Sequence, residues 1–441
     1  MYSALENYCF LRKNKKMKIE IPYLQKSFPL EFPDENLLAI AEPLEFKTAQ
    51  SGEDALNKAL LNPVGCEALS DFLNGAKRLL IIINDATRPT PTPAMLNALL
   101  PHIKAAGIPP ENQTLLVATG AHRVPTEDEY KQILGTAYSV LRPRCIAHDS
   151  KNESETSWLG VTRNGTPVAL NNALFKADRI IITGSVEPHY FAGFTGGRKA
   201  FLPGIAAFRT IEANHKQALS PAAHSLALDG NPVHEDMMDA LAFINIKIFS
   251  LMTVLDKEQN IASAFAGDIL KSFYDAVDCA KQIFCVPVSE KADIVISVAK
   301  FPMDIDLYQS QKAIDNGACA LKDGGTLILV SSCRCGIGDE AYAGLLASSS
   351  SPENAISRIE CGYKLGYHKA AKMAEVSKRA TICAVTGLPK ERLASMFIES
   401  AASVQEAFDA AMLRAGNNGV LSPKILVLPD GCVTVPDTAL S

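Results

Sequence analysis

The sequence predicts an α/β protein of two domains, each a largely parallel sheet covered by helices, with the active site in the cleft between them. Three observations predict it. At 441 residues the chain exceeds what one hydrophobic core usually supports. Short β-branched runs of strand length alternate with amphipathic helical patterns, the grammar of βαβ units. The runs also empty into loops rich in glycine and proline, where functional groups tend to sit.

The elements follow in order. Residues 1–16 precede a more regular run at 18–22 and are expected to be a disordered extension; the basic stretch from Arg12 to Lys18 has no apolar segment after it, which argues against a signal peptide. Residues 79–83, 114–118 and 179–183 read as buried strands, because strands covered on both faces show continuous apolar runs. Between the first two, residues 93–106 form an amphipathic pattern that stops at Gly107, as a helix should. The polar, glycine-bearing stretch 154–167 suits a hairpin or surface excursion, and 268–282 reads as a connecting helix. A second series of strands at 293–298, 325–330 and 425–428, with a helix at 309–320, places the domain boundary near 285. The domains are therefore 1–285 and 286–441. Four serines at 348–351 mark a loop.

Composition excludes several function classes. Hydrophobic residues make up 47% and charged residues 21%, as in ordinary soluble proteins, and a net charge of −5 gives no footprint for nucleic acid or an anionic membrane. A small anionic substrate must therefore be captured by a local cationic site. The apolar runs are strand-length, which excludes a spanning helix. Eleven cysteines without a CxxC pair point to free thiols in a reducing cytoplasm rather than to disulfides; Cys333 and Cys335 do not make a metal set.

Four motifs carry chemistry. DATRPTP at 85–91 leaves the first strand at its carboxyl end, and Pro93 suits the first turn of the next helix. The loop presents Arg88 beside a helix N-terminus, with Asp85 either orienting that guanidinium or capping a turn. TGAHR at 119–123 repeats the pattern after the second strand and puts His122, a natural proton shuttle, at the mouth of the sheet. EPHYFAGFTGGRK at 187–199 follows the third strand, with His189 and Lys199 flanking a turn whose glycines, Gly196 and Gly197, permit close approach to a ligand. His215 ends a helical stretch at 211–215 without a partner at metal spacing. YQSQK at 308–312 begins a helix in the second domain and sets Gln309 and Lys312 on one face.

These blocks, in this order, resemble the nickel-dependent lactate racemase family. The resemblance implies a nickel-pincer nucleotide, a pyridinium thioamide/thiocarboxylate mononucleotide carrying Ni(II), held covalently on Lys199. His215 would be the nickel's protein ligand, with Asp85, Gly196 and Gly197 beside the cofactor. Arg88, Tyr308, Gln309 and Lys312 would hold the substrate, and His122 and His189 would act as acid and base. The first domain then binds the cofactor and the second closes over the substrate. The implied reaction inverts the α-carbon of a small, lactate-like 2-hydroxy acid by reversible hydride transfer. That route avoids deprotonating a weakly acidic α-hydrogen. Cofactor-synthesis proteins are the implied partners. Two alternatives stand beside it: an epimerase of a larger 2-hydroxy acid such as malate, an aryl-lactate or a sugar acid, and a non-catalytic carrier of the cofactor. A carrier needs Lys199 and His215 but has no use for two histidine bases.

Overall fold

A computed structural model of the chain describes residues 16–43 and 51–438. The chain divides into two compact units, one of residues 45–283 and one combining the described residues of 1–44 with those of 284–441. Among the described residues no helix is long and apolar enough to cross a membrane. Both units are α/β, with sheets that are largely parallel.

The first unit holds a six-stranded sheet in the order Ile261–Gly267, Lys247–Leu255, Arg179–Ser185, Leu79–Asn84, Gln113–Ala118, Cys145–Ala147. Every neighbouring pair is parallel except the outer pair 247–255 and 261–267. Register sets Ile81 opposite both Leu115 and Ile181, and all three are fully buried. Successive residues of these strands are buried on both faces, so they need apolar side chains at successive positions. Each buried isoleucine or leucine contributes roughly 1.5–3 kcal/mol.

The order of these strands positions the site. From Leu79–Asn84 the chain steps outward through Gln113–Ala118 to Cys145–Ala147, then returns to Arg179–Ser185 on the opposite side of the first strand. Connections therefore diverge between Leu79–Asn84 and Arg179–Ser185, and the carboxyl ends of these two strands are where such sheets place a ligand crevice. The loops that begin at Asp85 and at Val186 border it.

The second unit has its own six-stranded, wholly parallel sheet, in the order Ile398–Ser400, Thr381–Val385, Leu321–Val330, Ala292–Val298, Ile425–Leu428, Leu37–Ile40. The last strand corrects the sequence reading, which assigned all residues up to 285 to the first domain. Leu37–Ile40 instead pairs with Ile425–Leu428, and the hairpin of Lys16–Tyr23 and Lys26–Pro33 precedes it. Hydrophobic burial causes the exchange: Ile21, Leu30 and Phe32 pack into a core with Val404 and Phe408, the Phe32 and Phe408 rings 5.8 Å apart. Residues 1–15, most of the expected extension, lie outside the described residues. Helix Ile269–Phe284 and the hairpin of Thr156–Val161 with Pro167–Asn171 occupy the stretches read as connecting helix and surface excursion.

Candidate active site

The loop after Leu79–Asn84 is pinned across the crevice. Asn84 Nδ2 donates to Thr90 Oγ1 at 2.8 Å, and Thr90 Oγ1 lies 2.9 Å from Ser185 Oγ on the neighbouring strand end. Backbone N–H of Arg88 donates to the Asp85 carbonyl at 3.3 Å, which closes a turn before helix Thr92–Ala105. Sequence reasoning assigned Asp85 to Arg88 or to the cofactor. Its buried carboxylate instead lies 2.8 Å from Nδ1 of His122 and accepts from Thr87 Oγ1 at 2.8 Å. A carboxylate only accepts, so the His122 proton sits on Nδ1 and Nε2 is left as the free base. The imidazole is brought there by Gly120, whose φ of 58° turns the chain out of Gln113–Ala118. The His122 side chain is 49% exposed, and Asp85, Thr87 and His122 line a surface pocket with Arg123 and Glu129. Arg123 is spent on a two-pronged pair with Glu129, both contacts at 2.7 Å. Arg88 has no acidic partner among the described residues.

The block after Arg179–Ser185 folds as a tight hairpin, Pro188–His189 against Gly193–Phe194, followed by the turn Gly197–Ala200. Gly196 and Gly197 have φ of 80° and 56°. Phe191 gathers the chemistry of this block. Its ring lies 4.6 Å from His189 and 5.1 Å from His215, both edge-on, and 5.7 Å from Lys199 Nζ. Nδ1 of His189 accepts from the Ala192 N–H at 3.3 Å, which leaves its Nε2 to carry the ring proton when neutral. Burial pushes the Lys199 amine well below its usual range; Arg88 and Arg198 push the same way, and Glu187 opposes them. Arg88 is thus electrically coupled to Lys199, and Phe191 brings Lys199, His189 and His215 together. Among the described residues no three His, Cys, Asp or Glu side chains form a metal site. A metal at His215 would have to bring its other donors with it.

In the second unit, helix Leu307–Cys319 is capped by Asp306, whose carboxylate accepts from Gln309 N–H at 2.7 Å. Tyr308 stacks edge-on to Tyr342 at 5.6 Å, and burial pushes its hydroxyl up to about 12, so it stays protonated. Lys369 Nζ sits 4.1 Å over the Tyr308 ring and donates to the Tyr308 carbonyl. Lys312 Nζ lies 3.5 Å from the sulfur of Met303. Sequence reasoning missed Thr87, Phe191 and Lys369. The Asp85-x-Thr87 spacing offered a signal for the first, whereas Phe191 reads as an ordinary core aromatic.

Residues 23–225 match the family described as the lactate racemase N-terminal domain, and residues 288–435 match the lactate racemase C-terminal domain. The chain is 33% identical to the lactate racemase of Thermoanaerobacterium thermosaccharolyticum over 423 residues, covering 94% of this chain and 97% of that protein. It is 30% identical to the lactate racemase of Lactiplantibacillus plantarum, covering 94% and 98%. The structure of the lactate racemase apoprotein from T. thermosaccharolyticum superposes with a TM-score of 0.88 at 32% identity, over 96% of this chain and 100% of that one. A structure from Thermotoga maritima shares the fold, with a TM-score of 0.65 at 15% identity, over 90% of this chain and 100% of that one. With both halves matched and relatives aligned along nearly its whole length, the chain belongs to the lactate racemase family.

Proposed function

We propose that the chain is a cytoplasmic racemase of a small 2-hydroxy acid, lactate being the substrate named for its relatives. It would be loaded with a nickel-pincer nucleotide by cofactor-synthesis proteins. The residues fit that group: a buried lysine amine whose charged form burial disfavours, the positive-φ turn at Gly196 and Gly197, and one imidazole, His215, with no other metal set among the described residues. Lys199 would hold the group covalently and His215 would bind its nickel, an ion suited to imidazole. When bound, the nucleotide supplies a hydride acceptor and donor.

The chain's own residues do the rest. Arg88, without an acidic partner among the described residues, pairs with the substrate carboxylate and fixes the α-carbon for transfer. His122 takes the hydroxyl proton at Nε2, and Asp85 stabilises the imidazolium that forms. His189 serves the opposite enantiomer through Nδ1, the lone pair that here accepts the Ala192 N–H at 3.3 Å and is released to take the proton. Tyr308, Gln309 and Lys312 complete the hold on the substrate. The observation that carries this reading is the gathering of His189, Lys199 and His215 around Phe191 in the unit that also holds the Asp85–His122 pair. A cofactor carrier gains nothing from a carboxylate-oriented base.

The test is to co-produce the protein with the cofactor-synthesis proteins, weigh it intact, and assay chiral inversion over lactate, malate, aryl-lactates and sugar acids. A covalent mass increment with lactate inversion is expected. An increment without inversion of any acid makes the protein a carrier, and inversion confined to a larger acid replaces lactate as substrate.

A further inference from the structure

Arg198 is 1% exposed and is the largest fully buried side chain among the described residues. A buried guanidinium is normally offset by a carboxylate, because an unpaired buried charge costs several kcal/mol. None is present among the described residues. Nη2 donates to the Ala192 carbonyl at 2.8 Å, and Nη1 to the carbonyls of Thr195 at 3.4 Å and Gly196 at 3.3 Å. Nε donates to Nδ1 of His234 at 3.0 Å, and the fork lies 4.3 Å over the Phe273 ring.

The imidazole among these acceptors sets the electrostatics. Arginine only donates, so His234 Nδ1 offers a lone pair and the ring is neutral with its proton on Nε2. Burial and Arg198 together pull the pKa of His234 down to about 3, so it does not become a cation in the working range. Burial brings Arg198 down to about 9, still charged at neutral pH. Every acceptor of Arg198 is therefore neutral, and its charge is held in place without being cancelled. The next residue is Lys199. The charged groups that act on it are Arg198, Arg88 from the loop after Leu79–Asn84, and Glu187 from the loop after Arg179–Ser185. Two of the three are cations.

We propose that Arg198 and His234 form a positioning device for Lys199: they clamp the loop 192–196, and by using an imidazole where an acid would normally sit they preserve a positive charge beside the amine that keeps it nucleophilic. The value of that state rests on reading Lys199 as the cofactor anchor. The device gives His234 a reason to be buried beside the turn with its lone pair aimed at Arg198.

Competitive acetylation of the full-length apo-protein with acetic anhydride, quantified on the Lys199 peptide across pH, reads the state of the amine directly. His234→Glu cancels the Arg198 charge and should raise the Lys199 midpoint by about one unit, a tenfold loss of labelling below the midpoint. His234→Gln keeps a neutral acceptor and should leave the midpoint near wild type. Arg198→Gln removes the cation without burying an acid and should move the midpoint the same way as His234→Glu. Equal midpoints for His234→Glu and His234→Gln, or an unmoved midpoint in Arg198→Gln, would overturn the proposal. Because the apo-protein is read, a wild-type chain that titrates as described yet gains no mass on co-production refutes the anchor assignment and leaves the device standing.

Discussion

Asp85→Asn isolates the partner that sets the proton on His122. The amide is nearly isosteric, so the 2.8 Å contact can survive, but its charge is gone and it can present an N–H to Nδ1. Two charges about 4 Å apart attract by ~1 kcal/mol in water and ~4 kcal/mol at an effective dielectric of 20. The Asp85 side chain is 5% exposed but that of His122 is 49% exposed, so an intermediate ~2 kcal/mol is appropriate after solvent screening. Lost from the imidazolium that forms in the transition state, that slows turnover about 30-fold. A flipped tautomer deepens the loss, because Nε2 would then carry the proton it must accept. Racemisation should be measured from each lactate enantiomer on cofactor-loaded protein, with intact mass as the loading control. Turnover should slow by about 30-fold or more, with KM little changed and the mass increment intact. A loaded variant that turns over within about threefold of the wild-type rate would refute the role of Asp85.

Other perturbations test separate parts of the site. Burial pushes the Lys199 amine well below 10.5 in the folded chain, so the charged form that the unfolded lysine carries is disfavoured by folding, at a cost in stability that fades as pH rises towards and through 10.5. Lys199→Met should therefore melt higher than wild-type apo-protein at pH 7 and converge with it near pH 11 in a thermal melt, while gaining no cofactor mass; a lower melting point at pH 7 contradicts the depressed amine. His215→Ala should fold normally and lose nickel after dialysis, as measured by elemental analysis; stoichiometric nickel retained by that variant removes His215 as ligand. Gly196→Ala forces a side chain onto φ 80°, with Cβ 2.6 Å from Val186 Cγ2 and 3.0 Å from the Ser185 carbonyl. It should cost ~1–3 kcal/mol in denaturant unfolding, and unchanged stability would show that the turn is not held as described.

Parallel strands were legible because burial on both faces leaves continuous apolar runs, as at Leu79–Asn84 and Arg179–Ser185. Lys247–Leu255 was not, since Ser250 and Thr253 interrupt it; both are fully buried, and Ser250 Oγ is satisfied by the Gly267 carbonyl at 3.1 Å and by Ser272 Oγ. The partner of Leu37–Ile40 was equally hidden, because periodicity marks a strand without naming the strand it joins. At the site, histidines and a lysine in glycine-rich strand ends announced chemistry, yet their roles depend on topology. Asp85 meets His122 only because Gln113–Ala118 neighbours Leu79–Asn84, a fact no local spacing encodes. His234 had no motif of its own and reads as structural until the buried Arg198 beside it is found without an acid.

The most direct test of the two-histidine racemase is a single-turnover experiment with loaded His122→Ala and His189→Ala, each mixed with one pure lactate enantiomer and quenched for the 2-keto acid. General acid–base groups contribute ~10²–10⁴-fold, so loss of either histidine should abolish inversion while Lys199 keeps its mass increment. Each variant should still oxidise the enantiomer served by its remaining histidine, and the preference should reverse between the two. Near-wild-type inversion by both variants, or the same enantiomer preferred by both, would contradict it.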